Sequence, residues 1–211
     1  FERNSLTPID KRCEMIKFCK YHFFLLCISF SLVSCQTVGK LEKFPTMTFT
    51  HLSKIRLLVR DIKILELQKN QITPPYITHQ FPISPAEATR RWAKDKLQIG
   101  GKKNTARLII KIAEAKQIPL TIDKTFVGSF KNQQSDRYET EISAKLEILN
   151  EKKEIKAVVE AKAEHFKTVS EATSLSDRRK IWYNMIEVLM NEFNKEIDKN
   201  INNNFQKYLI K

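Results

Sequence analysis

The side chains that could do chemistry are few and dispersed. Beyond the first 35 residues the histidines are His51, His79 and His165, and none has a partner at the spacing of a metal site or of a nucleophile–base pair. Glu139, Glu141, Glu147, Glu160 and Glu164 recur at alternate positions opposite Lys145, Lys156 and Lys162. That pattern reads as paired charges on the wet face of a sheet rather than as a general acid–base pair. The only glycines are Gly39, Gly100, Gly101 and Gly128, and neither GxGxxG nor GxxxxGK[ST] can be read, which disfavours the common nucleotide-binding enzymes. No catalytic residue, metal or cofactor is expected, and the chain reads as non-enzymatic; the alternative is an enzyme whose site is assembled from ordinary residues.

What the sequence offers instead is positive charge. In 211 residues there are 37 Lys and Arg against 24 Asp and Glu, a formal +13, which points to anionic partners. The cations cluster as Arg90, Arg91, Lys94 and Lys96, then Lys102, Lys103 and Arg107, then Arg178, Arg179 and Lys180. Arg90, Arg91, Lys94, Lys102, Lys103, Arg178, Arg179 and Lys180 are the candidates for contact with lipid phosphates or an acidic protein, where Arg offers bidentate geometry. Three cations at the start of a helix, Arg178, Arg179 and Lys180, oppose its dipole, a hint that an acidic partner is bound there.

All four cysteines, Cys13, Cys19, Cys27 and Cys35, fall in the first 35 residues, so no disulfide or Cys-ligated zinc is expected in the rest. Lys17 and Lys20 precede the apolar run Phe23–Val33, whose 11 residues are too few to span a bilayer. The run leads into Leu32-Val33-Ser34-Cys35. Over the roughly 20 residues from Met15 to Cys35 this resembles the signal and lipobox of bacterial lipoproteins. The resemblance implies cleavage between Ser34 and Cys35, a diacylglyceryl thioether on Cys35 and acylation of the new amino terminus, enough for stable anchoring. Gln36, where an aspartate would imply inner-membrane retention, implies the periplasmic face of the outer membrane. The same segment could instead serve as an uncleaved anchor helix or a buried core strand. On the lipoprotein reading residues 1–14 are an upstream or non-native extension, 15–34 the signal peptide, 35–54 a tether and 55–211 a single domain. Removing residues 1–34 leaves 32 basic and 21 acidic residues, still +11.

The elements that must position the cations follow from periodicity. Ile55–Leu67 reads as a strand with a slip near Arg60-Asp61. Residues 70–83, with Pro74, Pro75 and Pro82, read as a loop. Ser84-Pro85-Ala86-Glu87 opens a helix, with Ser84 accepting the N3 amide and Glu87 answering as a capping box, that ends before Gly100-Gly101, with Trp92 inward. Ala106–Ala115 reads as a strand with Leu108, Ile110 and Ile112 on one face. Asp136–Leu149 alternates strictly, and after the turn 150–153 Ile155–Ala163 does too, giving a hairpin with one wet face. From about Leu175, capped by Ser174 or Ser176, a long helix carries Trp182, Met185, Ile186, Leu189, Phe193, Ile197, Ile201, Phe205 and Leu209, weakened at Asn202-Asn203-Asn204.

The order β-α-β-β-β-α predicts an α+β two-layer sandwich: a four-stranded, largely antiparallel sheet with two helices on one face. Together with the lipobox it resembles small periplasmic lipoproteins that assist envelope assembly or transport, such as the lipoprotein plugged into the lipopolysaccharide translocon or the auxiliary lipoproteins of ABC-type lipid transporters. The resemblance implies a membrane anchor through Cys35 and an envelope-protein or anionic-lipid partner, with no nucleic acid. If the export signal is false, a basic nucleic-acid-binding α+β domain is the alternative. Loops 70–83 and 121–136, the latter with Phe126, Gly128 and Phe130, are both candidate contact surfaces.

Overall fold

The computed structural model describes residues 43–68, 71–121 and 134–210. Ser34, Cys35, Phe126, Gly128 and Phe130 lie outside the described residues. In chain order the elements are β1 (Ile55–Leu57), β2 (Ile62–Glu66), α1 (Pro85–Lys96), β3 (Leu97–Ile99), β4 (Thr105–Pro119), β5 (Gln134–Leu149), β6 (Ile155–Ser170) and α2 (Leu175–Asn204). The main sheet has the order β2-β4-β5-β6, with β2 parallel to β4 and the other two ladders antiparallel. Both helices pack on one face of it, so the fold is the expected α+β sandwich.

Alternation in β5 sends Tyr138, Ile142, Ala144, Leu146 and Ile148 toward the helices, where all are buried. On α2 the spacing of Trp182, Met185, Ile186, Leu189, Phe193, Ile197 and Ile201 makes one apolar stripe that closes the core. Trp92 of α1 meets Phe193 edge-on at 5.2 Å and joins the two helices. Ser84 and Ser174 cap α1 and α2 by accepting the amides of Glu87 and Asp177, each at 3.1 Å. Glu87 does not complete the expected capping box; its carboxylate turns instead to Arg91, one turn along the helix.

Four local expectations change. First, the slip near Arg60-Asp61 is a change of sheet rather than a bulge: β1 pairs with β3 in a small parallel sheet and β2 joins β4. Gly101 allows this, because a Cβ there would stand 2.6 Å from the Leu58 carbonyl carbon and 2.8 Å from the Val59 nitrogen. Second, a true bulge lies at Lys111, between the pairs Ile110–Ala144 and Ile112–Ser143. It moves Ile112 off the core face, which Ala113 and Ala115 then occupy. Third, residues 43–54 are not a free tether, since Met47 and Phe49 belong to the core and Phe44 stacks on Tyr183 at 5.3 Å. Fourth, Leu209 is not on the helix; after a single 3-10 turn at Gln206–Tyr208 it bridges to Leu57.

The proline-rich stretch is docked rather than free. Ile77, Phe81 and Ile83 are buried, Ile77 N donates to Ala115 O at 2.9 Å, and Tyr76 bridges to Lys116, so this loop continues the sheet along the edge of β4 that β2 leaves open.

Candidate functional site

The basic groups singled out in the sequence divide into those the fold uses internally and those it leaves unpaired. Arg178 belongs to the first group: its Nη1 donates to Asp136 Oδ2 at 2.9 Å and to the Tyr138 hydroxyl at 2.7 Å, and its Nε donates to Thr173 O. The acid beside Arg178 is therefore Asp136 of the same chain, and the charge of Arg178 needs no acidic partner of the kind expected at this helix start. Burial disfavours charge on Asp136, but hydrogen bonds from Gln117, Arg178 and Ser135 prevail and hold its carboxyl below the usual value. Arg179 lies over the Phe44 ring, 5.5 Å from its centre, and Lys180 pairs with Asp177 at 3.8 Å.

On α1, Arg90 pairs with Glu66 and Arg91 with Glu87. Lys96 is only 2% exposed, and its ammonium donates to Asn194 Oδ1 and Asp198 Oδ2 of α2, which ties the helices together. Arg107 is bound to Glu147, whose other oxygen takes Lys145. Glu147 is therefore not on a wet face as expected; it is 1% exposed beneath two cations. Burial pushes its pKa up, yet the bonds from Lys145 and Arg107 outweigh that and lower it. On the open sheet face Lys111–Glu160, Lys116–Glu114, Arg137–Glu139 and Lys162 between Glu141 and Glu164 are paired, whereas the exposed Lys63, in register with Arg107, forms no ion pair among the described residues. A small cleft there, about 160 Å³ and lined by Glu114, Lys116, Arg137, Glu139 and Phe166 among others, offers charges that already have partners.

Lys94, Lys102 and Lys103 behave differently. All three are exposed and form no ion pair among the described residues, and the fold brings Arg56, Arg60 and Lys207 to the same end of the molecule in the same condition. Arg56 is at the centre. Its strand β1 is held on one side by β3, through the pair Arg56–Gln98, and on the other by the C-terminal segment, where Ile210 N donates to Arg56 O at 2.9 Å and Leu58 N to Tyr208 O at 2.7 Å. Arg60 N donates to the carbonyls of Lys103 and Asn104, which draws the β3–β4 turn alongside. Lys54 donates to a backbone carbonyl, Asp95 O, while the Asp95 carboxylate accepts the amide of Phe49.

Two open-sided clefts share Arg56. One, of about 630 Å³, lies between α1 and the β2 and β3 strands, with Arg56 and Lys94 beside Ile62, Ile64, Leu97 and Ile99. The other, of about 670 Å³, has Lys54, Arg56 and Lys207 beside Asn202 and Gln206. Along α2 the step from Arg178 to Asn202 is roughly 36 Å at 1.5 Å per residue, so this group of cations lies at the opposite end of the domain from Arg178, where Arg179 and Lys167 also form no ion pair among the described residues.

Arg56, Lys54, Arg60 and Lys207 were not singled out from the sequence. An isolated cation on the polar side of a three-residue strand carries no signal there, and Lys207 meets Lys54 only through the path of α2. His51 and His79 are exposed, while His165 lies within β6, its carbonyl accepting the Thr140 hydroxyl at 3.0 Å. Among the described residues no group of three or more His, Cys, Asp or Glu could hold a metal, and no helix is long and apolar enough to cross a membrane. No protein-family model matches this chain. No curated protein is significantly similar to it.

Proposed function

We propose that the protein is an exported lipoprotein, anchored by lipid on Cys35 after cleavage behind Ser34, that binds an anionic envelope partner without catalysing a reaction. The anchor reading rests on Lys17, Lys20, the apolar run and Leu32-Val33-Ser34-Cys35 in that order. The binding reading rests on one observation: Arg56, Arg60, Lys94, Lys102, Lys103 and Lys207 are gathered at one end without carboxylate partners, whereas the cations of the sheet face, Lys63 apart, are ion-paired. Unpaired like charges repel, and an anion at this end would relieve that repulsion. Gln36 favours the periplasmic face of the outer membrane as the address.

The test is intact-mass analysis and membrane fractionation after expression in a bacterium with two membranes, wild type beside Cys35→Ala. The expected result is a wild type that loses residues 1–34, gains the mass of acyl chains and fractionates with outer membrane, and a variant that does none of these. An unprocessed, unacylated wild type would overturn the anchor. Nucleic-acid binding, with its steep salt dependence, would then be the reading to pursue for the same cations.

A further inference from the structure

The cleft between α1 and the β2 and β3 strands separates two chemistries. Its floor is aliphatic, from Ile62 and Ile64 of β2 and Leu97 and Ile99 of β3, and Ile99 is 54% exposed. Its cations are Arg56 and Lys94, neither of which has an ion pair among the described residues. Their backbones sit on fixed elements, Arg56 between β3 and the C-terminal segment and Lys94 in the last turn of α1. A fixed backbone limits the ordering that binding costs to the two side chains themselves. At about 630 Å³ the cleft falls in the range of roughly 300–1,000 Å³ common for small-molecule sites.

From this arrangement we infer that the cleft binds an anionic lipid, its phosphate held by Arg56 and Lys94 and one acyl chain laid over Ile62, Ile64, Leu97 and Ile99. This deepens the anionic-partner reading above and rests on it. Arg56 supplies the planar fork that matches phosphate oxygens and Lys94 a second point charge. The aliphatic floor removes hydrocarbon from water, which a free phosphate cannot exploit and a polyanionic peptide would leave unmatched. The compensated cleft on the sheet face offers neither property.

The full chain, reconstituted in phosphatidylcholine vesicles, is exposed to a photoreactive dodecyl phosphate, and the cross-links are mapped by mass spectrometry. Labelling is expected on peptides carrying Ile62–Ile64 and Leu97–Ile99. It should fall about tenfold in the Arg56→Gln, Lys94→Gln double variant, whose substitutions are at exposed positions. Ile99→Ser should weaken it as well. Competition by unlabelled dodecyl phosphate, but not by inorganic phosphate or a poly-glutamate peptide, supports the lipid. The inference is overturned if a photoreactive dodecanol labels the same peptides equally, if the double variant labels like wild type, or if inorganic phosphate or the peptide displaces the probe. Acylation of Cys35 is read on the same samples. A lipidated protein that takes up no probe sinks the cleft and leaves the anchor standing, and an unlipidated one that labels does the reverse.

Discussion

Glu147 shows how much one side chain depends on its neighbours. It is buried on the face of the sheet opposite the helices because the Arg107 guanidinium and the Lys145 ammonium cover it at 2.5 and 2.7 Å. Glu147→Gln leaves both cations without their shared acid, and urea unfolding should show a loss of about 1–3 kcal/mol. The pH dependence has a defined sign. The carboxyls of Glu147 and Asp136 are both held below their ordinary values of 4.5 and 3.8, so the unfolded chain binds protons first. Their stabilisation is complete above about pH 4.5 and lost as pH falls through the lower folded values. The urea midpoint should therefore drop below pH 4.5, and less steeply in Glu147→Gln; an equal slope in variant and wild type would remove Glu147 from the cause. The alternation of carboxylates and lysines was legible in the sequence, but the burial of one of them was not, because it depends on Arg107 of another strand.

At the scale of elements, the helices were the most readable part. Apolar residues at helical spacing and serines at both starts leave little choice, and Ser174→Ala should cost about 1 kcal/mol in thermal unfolding. Where strands meet, reading was harder. The bulge at Lys111 and the change of sheet between β1 and β2 are set by register against β5 and by the approach of Gly101 to Leu58 and Val59. Gly101→Ala places a methyl against that backbone, so something must shift. A loss of about 1–3 kcal/mol is expected in denaturant unfolding, as for overpacked sites, with the small sheet of β1 and β3 the first to lose amide protection.

At the scale of the molecule, charge is the property with a direction. Lys102→Gln, Lys103→Gln and Lys207→Gln touch exposed side chains without ion pairs, so each should leave unfolding free energy within about 0.5 kcal/mol. Together they should weaken binding to vesicles containing phosphatidylglycerol, and added salt should weaken it further. Substitution of Arg90, Arg91 and Lys111 by Gln, whose charges are already met by Glu66, Glu87 and Glu160, removes the same number of charges and should change binding less. Equal effects from the two sets would mean that total charge matters and its placement does not.

The composition, the export-like start and the order of the main-sheet strands and helices follow from the sequence alone, though not the short strands β1 and β3, because local periodicity, turn residues and charge count need no information from distant parts of the chain. The α+β sandwich with two helices on one face could be read in that way. Which cations are free could not. Arg178 is neutralised by Asp136 across 42 positions, Lys96 by Asp198 across 102, and Arg107 by Glu147 across 40. Arg56, Lys94 and Lys207 become neighbours only when β1 is held between β3 and the C-terminal segment. Electrostatic compensation acts through space over a few ångströms, so only the tertiary structure could decide which cations of this basic protein are left without ion pairs.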